Sequence, residues 1–472
     1  MRVLSVASEC APLIKTGGLA DVAGALPHAM SGQEVEMRTL LPGYPAVMGA
    51  IGKGREVHAW DHLYGGPARL IEAEAAGLSL FVLEAAHLFD RSGGIYLDGE
   101  GVDWSDNPER FAALCRAGAD ICAGFTGWQP DLAHGHDWQA GLLPYFLKKD
   151  GVAVPSVMTI HNIAFSGMVE PSHIHRLGLD PTDFHVDGFE FWGRVSMLKA
   201  GLVWADRITT VSPRYAREIS TPEFGMGFDG LITARRADLS GILNGIDTDA
   251  WDPATDPAIK RFRSFRGKTG AVRALREELG LPPSDGPLAV VISRLSQQKG
   301  LDLLLEALPD YLAGGGQLAL LGSGDRGLEA AWRDAAQRHN GVSAHIGYDE
   351  ELSHRMMAGG DAVLVPSRFE PCGLTQLYGL RYGAIPVVAR VGGLADTVID
   401  ANDAALRMGV ATGIVHAPDN VEALSLALTR MLELHAQPET WSRMARTAMR
   451  HPVGWDVSAG QYADLYRDLV PT

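Results

Sequence analysis

Apolar and polar residues follow two rhythms along this chain: short apolar runs of strand length, and longer segments with apolar residues at helical spacing. Short apolar runs are typical of strands buried on both faces, whereas spacings of three and four residues place side chains on one helix face. In the first half of the chain we predict strands at residues 2–8, 35–41, 131–136, 154–161, 207–211 and 241–244. Helices are predicted at residues 19–30, 108–124, 138–148, 190–205 and 213–219, and a short hairpin at 69–74 and 78–85.

The alternation stops once and then restarts. Residues 245–270 are rich in aspartate and proline, which is the chemistry of turns rather than of a core. Beyond them we predict strands at 288–293, 317–321, 342–346, 362–366 and 385–389, and helices at 271–280, 300–312, 327–339, 349–358, 374–383 and 420–434. This rhythm predicts an α/β protein with two doubly wound, Rossmann-like domains, 1–244 and 245–454, facing across a cleft. A last helix with aromatic residues is predicted within 455–472.

Composition narrows the possible functions. With 472 residues, of which 46% are hydrophobic, the chain can build two full cores. A net charge of -16 leaves no surplus basic field for nucleic acid or an anionic membrane, so we expect neither as a partner. The cysteines show no Cys-x-x-Cys spacing, the chain reaches Glu9 too early for a secretory signal, and no apolar run is long enough to span a bilayer. We therefore expect a soluble protein of the cytoplasm.

The segment Lys15–Val22 places a lysine and two glycines between the first predicted strand and the first predicted helix. Backbone N–H groups at a helix start are unpaired and the helix dipole favours negative charge there, so a neighbouring cation completes an anion site. Paired glycines also let a phosphate or a sugar approach the main chain. The spacing of Gly17 and Gly18 matches neither the Rossmann fingerprint nor a P-loop. A tight turn carrying a surface lysine is the alternative interpretation.

Two segments of the second half have a similar placement. Pro366–Thr375 carries Glu370 between a predicted strand and a predicted helix, at the sheet edge where open α/β folds bind ligands. Arg390–Asp396 repeats the Gly-Gly-Leu-Ala-Asp string of the first loop, which suggests a second backbone cradle for an anion or a sugar.

A cationic motif follows the strand predicted at 288–293. Arg294 and Lys299 are spaced to flank a diphosphate, with the arginine as a planar fork and the lysine as a point charge. The alternative is a pair of salt-bridged surface residues. A glycine-rich turn at 322–325 is weaker support for a nucleotide contact.

Metal binding is considered at two places and expected at neither. His134 and His136 stand two apart on a predicted strand, but no third ligand or cysteine cluster accompanies them. Asp247-Thr248-Asp249 spells Asp-x-Asp, which holds a metal in some glycosyltransferases, yet it lies in the turn-rich connector and cations are already available for phosphates. The strand ends of the first domain also carry polar side chains suited to sugar hydroxyls, namely Asp137, His161 and Asn162.

Taken together, these motifs closely resemble bacterial glycogen synthases and plant starch synthases. The resemblance spans essentially the whole chain in order, and it rests on Lys15–Val22, His134–Trp138, Thr159–Asn162, Thr210–Pro213, Leu243–Asp247, Arg294–Leu301, Phe369–Gln376 and Gly392–Asp396. It implies a retaining glycosyltransferase of the two-domain GT-B architecture that works without a metal or another cofactor. It also implies transfer of glucose from ADP-glucose to the non-reducing end of an α-1,4-glucan such as glycogen.

The resemblance assigns the acceptor side to 1–244 and the nucleotide-sugar donor side to 245–454, with the final helix packing back on the first domain. In the first domain, Lys15 and Gly18 correspond to donor contacts, and Asp21 is a further candidate in the same loop. Asp137 corresponds to a carboxylate near the reaction centre. His161 and Asn244 match positions near the glucose 6-hydroxyl.

In the second domain, Arg294 and Lys299 correspond to residues that hold the donor diphosphate. Glu370 corresponds to the carboxylate that lies against the donor glucose, and Tyr348 matches a ring position beside adenine. The turn over sugar and phosphate consists of Cys372, Gly373, Leu374 and Thr375.

One position departs from the broader GT-B pattern, which has two glutamates eight positions apart. Here the second position is Tyr378, so a ribose-binding carboxylate is missing there and the ribose contact is unassigned. Two other functions stay open from the sequence. One is a UDP-glucose-dependent transferase of the sucrose or trehalose type, and the other is an inactive protein that binds nucleotide sugars or glucans.

Overall fold

The computed structural model describes residues 1–470, so residues 471 and 472 of the predicted last segment lie outside the described part. The chain forms two compact units. Unit 1 comprises Met1–Asn244 together with the returning segment Trp455–Thr472, and unit 2 comprises Gly245–Gly454. The chain leaves unit 1 at the start of the aspartate- and proline-rich stretch.

Unit 1 mixes strands and helices in the order that the periodicity indicates. Its strands are β1 Arg2–Val6, β2 Glu36–Pro42, β3 Arg55–Leu63, β4 Gly66–Ala75, β5 Leu78–Glu84, β6 Leu132–His136, β7 Ser156–Ile160, β8 Met168–Val169, β9 Glu190–Phe191, β10 Arg194–Ser196, β11 Arg207–Thr210 and β12 Leu239–Gly241. Its helices are α1 Gly18–Ser31, α2 Pro45–Ile51, α3 Ala86–Phe89, α4 Asn107–Cys122, α5 Leu142–Lys149, α6 Met197–Trp204, α7 Pro213–Glu218 and α8 Asp229–Ala234.

The main sheet of unit 1 has the strand order β12-β11-β7-β6-β1-β2-β5-β4-β3. β1 runs parallel to both of its neighbours, with Val3 opposite Met37 of β2 and Leu132 of β6. Val3, Leu4 and Val6 are fully buried, as expected for a strand covered on both faces. Because β1, β6 and β7 are parallel neighbours, the residues that follow their carboxyl ends gather at one edge of the sheet.

Two predicted elements of unit 1 need correction. The hairpin pairs as expected, β4 with β5, but it extends the main sheet and β3 joins it as an edge strand. The helix predicted at 190–205 begins only at Met197, because β9 and β10 form an antiparallel pair around Trp192 and Gly193, both with positive φ. Ser196 then caps α6 by accepting a hydrogen bond from the N–H of Lys199.

Two boundaries in unit 1 also shift. The helix predicted at 138–148 is a 3₁₀ turn at Trp138–Ala140 followed by α5. Gly141 separates them, and a Cβ there would lie 2.1 Å from the carbonyl oxygen of Met197. The last predicted strand, 241–244, lies earlier, at β12, so Asn244 follows the strand rather than ending it.

Unit 2 has a parallel sheet with the order β15-β14-β13-β16-β17-β18. Its strands are β13 Leu288–Ile292, β14 Gln317–Gly322, β15 Val342–Ile346, β16 Ala362–Val365, β17 Ile385–Ala389 and β18 Ile414–His416. Its helices are α9 Thr269–Glu278, α10 Leu301–Ala313, α11 Arg326–Arg338, α12 Glu350–Gly359, α13 Thr375–Tyr382, α14 Gly392–Thr397, α15 Asp403–Met408, α16 Val421–His435 and α17 Pro438–Ala448. The strand order reverses between β13 and β16, so the loops after these strands flank the switch point where doubly wound sheets bind ligands.

A C-terminal helix, Asp456–Leu469, belongs to unit 1 and packs against α1. Tyr462 and Tyr466 are fully buried, and the Tyr466 hydroxyl lies 2.7 Å from Nδ1 of His134 on β6. The last helix therefore contributes to the core behind the sheet edge of unit 1.

Candidate active site

Glu9 fixes the lysine–glycine loop of unit 1. It follows β1, is buried, and one of its carboxylate oxygens accepts hydrogen bonds from the Thr16 hydroxyl at 2.8 Å and from the N–H of Gly17 at 3.1 Å. Sequence reasoning missed this role, although a carboxylate directly after a buried strand was a usable signal. The buried carboxylate of Glu9 thus holds the conformation of this loop.

Lys15 and Gly18 lie on the open side of the same loop. Lys15 is exposed, and its ammonium group is 2.8 Å from the carboxylate of Asp21 in the first turn of α1. A Cβ built on Gly18 would meet nothing within 4 Å. The loop therefore presents a cation and bare backbone at a helix start, the arrangement expected of an anion site.

Asp137 joins the ends of β6 and β7. Its backbone has φ 55°, and its Oδ1 accepts hydrogen bonds from the N–H groups of His161 at 2.6 Å and Asn162 at 3.3 Å. Burial raises the pKa of the Asp137 carboxyl to about 7, although the two backbone donors favour the charged form. Asp137, His161 and Asn162, all predicted site residues, are thus joined by hydrogen bonds.

The histidines of this edge are buried and hydrogen-bonded to one another. Nδ1 of His136 lies 3.0 Å from Nε2 of His161, and burial lowers the pKa of both imidazoles, so both are neutral. His134 pairs instead with Tyr466 and with Thr159. His134 and His136 thus act as structural partners within the sheet.

Asn244 lies just beyond β12 and is 7% exposed. Its side-chain oxygen has no hydrogen-bond partner among the residues that the structure describes. A buried amide oxygen without a partner is costly, so this position is suited to accept a hydrogen bond from a bound hydroxyl.

Glu370 and Lys299 form the centre of the site in unit 2. The ammonium group of Lys299 lies 2.6 Å from Oε2 of Glu370, and the Ser367 hydroxyl donates to the same oxygen at 2.9 Å. The Glu370 side chain is only 8% exposed, so this is a largely desolvated ion pair. The loops after β13 and β16 are joined by it at the switch point.

Arg294 is exposed on the loop after β13. Within residues 1–470 its guanidinium makes no hydrogen bond and no ion pair, which argues against the alternative of a salt-bridged surface residue. An unpaired guanidinium beside the Lys299 segment is available for a bidentate anion such as a phosphate.

The repeated Gly-Gly-Leu-Ala-Asp string has another physical reason in unit 2. A Cβ on Gly392 would lie 1.9 Å from the carbonyl oxygen of Glu370, and one on Gly393 would lie 2.3 Å from that of Cys372. The N–H of Gly393 is already bonded to the carbonyl of Pro371. These glycines therefore pack against the turn that carries Glu370, and a second cradle for an anion or a sugar at this loop stays a prediction.

The predicted turn at 372–375 is held by Gln376. Its amide nitrogen donates to the carbonyls of Cys372 and Gly373, while its buried oxygen has no partner in the described part of the chain. Gly373 has φ +72°, and Thr375 begins α13, so Leu374 and Thr375 lie at a helix start.

Two aromatic positions of unit 2 have different surroundings. Tyr348 is 79% exposed between β15 and α12, and its hydroxyl lies 2.6 Å from the carboxylate of Glu350. Tyr378 instead stacks on Trp251 with ring centroids 3.8 Å apart, and Trp251 stacks on His354 at the same distance. The tyrosine that replaces the second glutamate of the GT-B pattern is thus used in packing.

The Asp-x-Asp string closes a turn. The Asp247 carboxylate accepts hydrogen bonds from the N–H groups of Asp249 and Ala250. Across residues 1–470, three or more His, Cys, Asp or Glu side chains do not gather in a group able to hold a metal ion. None of the helices within this part of the chain has the length and apolar character needed to cross a membrane.

Comparisons with known proteins agree with this geometry. Residues 2–234 match the family described as starch synthase catalytic domain, and residues 274–448 match the family described as glycosyl transferases group 1. Glycogen synthase of Paracoccus denitrificans is 58% identical over 99% of both chains, and that of Roseobacter denitrificans is 57% identical over 100% of both. The catalytic domain of starch synthase IV from Arabidopsis thaliana, bound to ADP and acarbose, superposes with a TM-score of 0.88 at 31% identity, covering 100% of this chain and 99% of its own.

The two α/β units, each with charged residues at the carboxyl edge of the parallel part of its sheet, define a GT-B glycosyltransferase. As a hexosyltransferase of this class, it takes its sugar from a nucleotide-sugar donor and passes it to a glucan acceptor. The chain belongs to the glycogen synthase family, and its activity is the synthesis of glycogen.

Proposed function

We propose that this chain transfers glucose from ADP-glucose to the non-reducing end of an α-1,4-glucan, with retention at C1 and release of ADP. The observation that carries the proposal is the Lys299–Glu370 pair, with the unpaired guanidinium of Arg294 on the same loop after β13 as Lys299. A carboxylate suited to a sugar and two cations suited to a diphosphate thus lie on the loops at one switch point. The starch synthase IV catalytic domain that this chain matches over its full length was solved with ADP, which supports an adenine nucleotide here.

In unit 2, Arg294 and Lys299 hold the diphosphate, and Glu370 lies against the donor glucose. The Lys299 side chain is 20% exposed while its ammonium group holds the Glu370 carboxylate. The turn of Cys372, Gly373, Leu374 and Thr375 supplies backbone groups at the start of α13 to sugar and phosphate. The exposed Tyr348 ring offers a flat surface to adenine.

In unit 1, the Lys15 loop contacts the donor through its cation, with Gly18 allowing close approach and Asp21 orienting the lysine. His161 and the partnerless amide oxygen of Asn244 bind the glucose 6-hydroxyl. Asp137 sets the backbone of His161 and Asn162 through its two accepted hydrogen bonds. We assign unit 1 the acceptor side and unit 2 the donor side of the reaction.

The chemistry follows from the charges. Breaking the bond between C1 and the phosphate oxygen leaves positive charge on the sugar and negative charge on ADP. Lys15, Arg294 and Lys299 stabilise the departing anion, as fixed cations do when they are already in place. The acceptor 4-hydroxyl attacks C1 on the face that ADP leaves, and its proton passes to a phosphate oxygen of ADP. The new glycosidic bond therefore retains the α configuration.

The test is product formation by the purified protein from radiolabelled ADP-glucose and a glycogen primer. We expect label in glycogen, its release by an enzyme that trims α-1,4-linkages from non-reducing ends, and a much lower rate with UDP-glucose. The Arg294→Ala variant should lose at least tenfold in kcat/KM, about 1.4 kcal/mol, whereas Arg407→Ala, on an exposed residue of α15, should not.

Each other outcome identifies an alternative. Incorporation from UDP-glucose but not ADP-glucose would make the chain a UDP-dependent transferase. Binding of ADP-glucose without turnover would make it an inactive binding protein. We place the reaction in the cytoplasm, where cysteines stay reduced, because all four cysteines of the chain are free and buried.

A further inference from the structure

A chain of hydrogen bonds runs beneath His161 across neighbouring strands of unit 1. The Ser5 hydroxyl on β1 lies 3.2 Å from Nε2 of His136 on β6, and Nδ1 of His136 lies 3.0 Å from Nε2 of His161, just after β7. All three side chains are buried, with Ser5 at 1%, His136 at 0% and His161 at 9% exposure. Each link uses one defined ring nitrogen, so the proton positions along the chain depend on one another.

The Ser5 hydroxyl decides which atoms donate and which accept along this series of hydrogen bonds. In the described part of the molecule, His136 is the only hydrogen-bond partner of the Ser5 hydroxyl. If that hydroxyl accepted a bond from Nε2 of His136, its own hydrogen would be buried without an acceptor, which costs the desolvation of a donor. If it donates, the Ser5 hydrogen and the Nδ1 hydrogen of His136 both have acceptors, and the one hydrogen left without an acceptor in the part of the protein that the structure describes is on His161, the least buried of the three side chains. Nε2 of His136 is then unprotonated, and the proton of this neutral ring sits on Nδ1.

The consequence reaches His161. A proton on Nδ1 of His136 points at Nε2 of His161, so that nitrogen is an acceptor and the His161 proton must sit on Nδ1. Nδ1 of His161 has no hydrogen-bond partner among residues 1–470, so this N–H is free to meet a ligand.

We propose that Ser5 and His136 are positioning residues that lock His161 in its Nδ1–H tautomer, so that it presents a hydrogen-bond donor to an oxygen of the bound sugar. The role of the sugar rests on the proposed function. The tautomer itself does not depend on it. Without the lock, either ring nitrogen of a neutral imidazole carries the proton, and part of the population would offer the sugar a lone pair instead.

Other polar groups around these rings do not compete for the same atoms. The His134 ring packs on the His136 ring with centroids 4.2 Å apart, but its two nitrogens are bonded to Tyr466 and Thr159. Asp137 accepts the main-chain N–H of His161 rather than its ring. The Ser5–His136–His161 chain is therefore separate from its neighbours.

The direct test is ¹⁵N NMR of protein labelled at histidine, with the His161 signals identified by their loss in His161→Gln. In the wild-type protein, we expect the proton of His161 on Nδ1 alone. In Ser5→Ala we expect a mixture of tautomers at His161. Thr209→Val is the matched control, because it also removes one buried sheet hydroxyl, and within residues 1–470 that hydroxyl is bonded to Thr159 alone. A proton on Nε2 in the wild type, or an unchanged tautomer in Ser5→Ala, would overturn the proposal.

A kinetic test reports on the sugar contact. For Ser5→Ala we expect kcat/KM with ADP-glucose to fall about fivefold, with little change for an ADP-6-deoxyglucose donor that lacks the hydroxyl. His136→Asn, whose amide can still donate near the Nδ1 position, should restore more activity than His136→Leu. Equal losses with both donors would show a general structural effect and refute the contact. If the wild type made no glucan at all, the proposed function would fail while the NMR result would still stand.

Discussion

We expect the Asp137→Asn substitution to raise the stability of unit 1 and to lower the activity of the protein. The carboxyl is 8% exposed, and burial raises its pKa from the ordinary 3.8 to about 7. Between these two values the unfolded chain releases a proton that the folded protein keeps, so the free energy of unfolding falls as pH rises from about 4 to about 7. At about 1.4 kcal/mol per pH unit, this side chain costs about 4 kcal/mol at neutral and alkaline pH.

The asparagine removes that cost without changing the local geometry. Its amide oxygen can accept the same two backbone hydrogen bonds, and asparagine tolerates the positive φ of this position. We therefore expect the variant to be more stable than the wild type at about pH 8, by up to about 4 kcal/mol, with the difference about 2 kcal/mol smaller at pH 5.5. Its turnover should nevertheless fall, because the proposed site loses a carboxylate.

The assay is urea unfolding followed by tryptophan fluorescence at about pH 5.5, 7 and 8. Comparing the two proteins at each pH cancels the titration of every other group that the substitution leaves undisturbed. If the midpoints of both proteins shifted equally with pH, the argument that burial raises the pKa of Asp137 would be refuted.

Three further predictions follow from single contacts. Lys299→Ala should lower kcat at least tenfold, about 1.4 kcal/mol, because it removes a cation proposed to hold the diphosphate. Steady-state kinetics measures the loss, with Lys53→Ala on the exposed surface as the control. Wild-type turnover in Lys299→Ala would contradict the prediction. Glu9→Gln should raise KM for the donor with little loss of stability, since the Lys15 loop loses a charged acceptor for its hydrogen bonds; an unchanged KM would remove Glu9 from the site. Tyr466→Phe should cost about 1–2 kcal/mol of unfolding free energy by leaving Nδ1 of the buried His134 without its hydrogen-bond partner, and an unchanged urea midpoint would contradict this.

Local sequence was sufficient wherever structure depends on near neighbours. The apolar runs that became β13, β16 and β17 were predicted closely, because strands buried on both faces carry an unbroken apolar signal. The loops with Lys15 and Glu370 were found for a similar reason, since each combines a strand end, glycines and a charge within a few residues.

Elements that depend on distant contacts were not predictable in this way. β3 was missed because an edge strand is largely exposed and lacks the apolar run. The start of α6 was misplaced because helical spacing continues through Trp192, where the chain instead turns back on itself.

The class of fold, the family and most residues of the proposed site could be predicted from the sequence, because motif spacing and apolar periodicity are properties of consecutive residues. How those residues are held could be learned only from the folded chain. Glu9 beneath the Lys15 loop, the partner of Lys299 and the packing of Gly392 all join segments far apart along the chain. Such contacts depend on which strands lie side by side, and that order is a property of the folded sheet rather than of any short stretch of sequence.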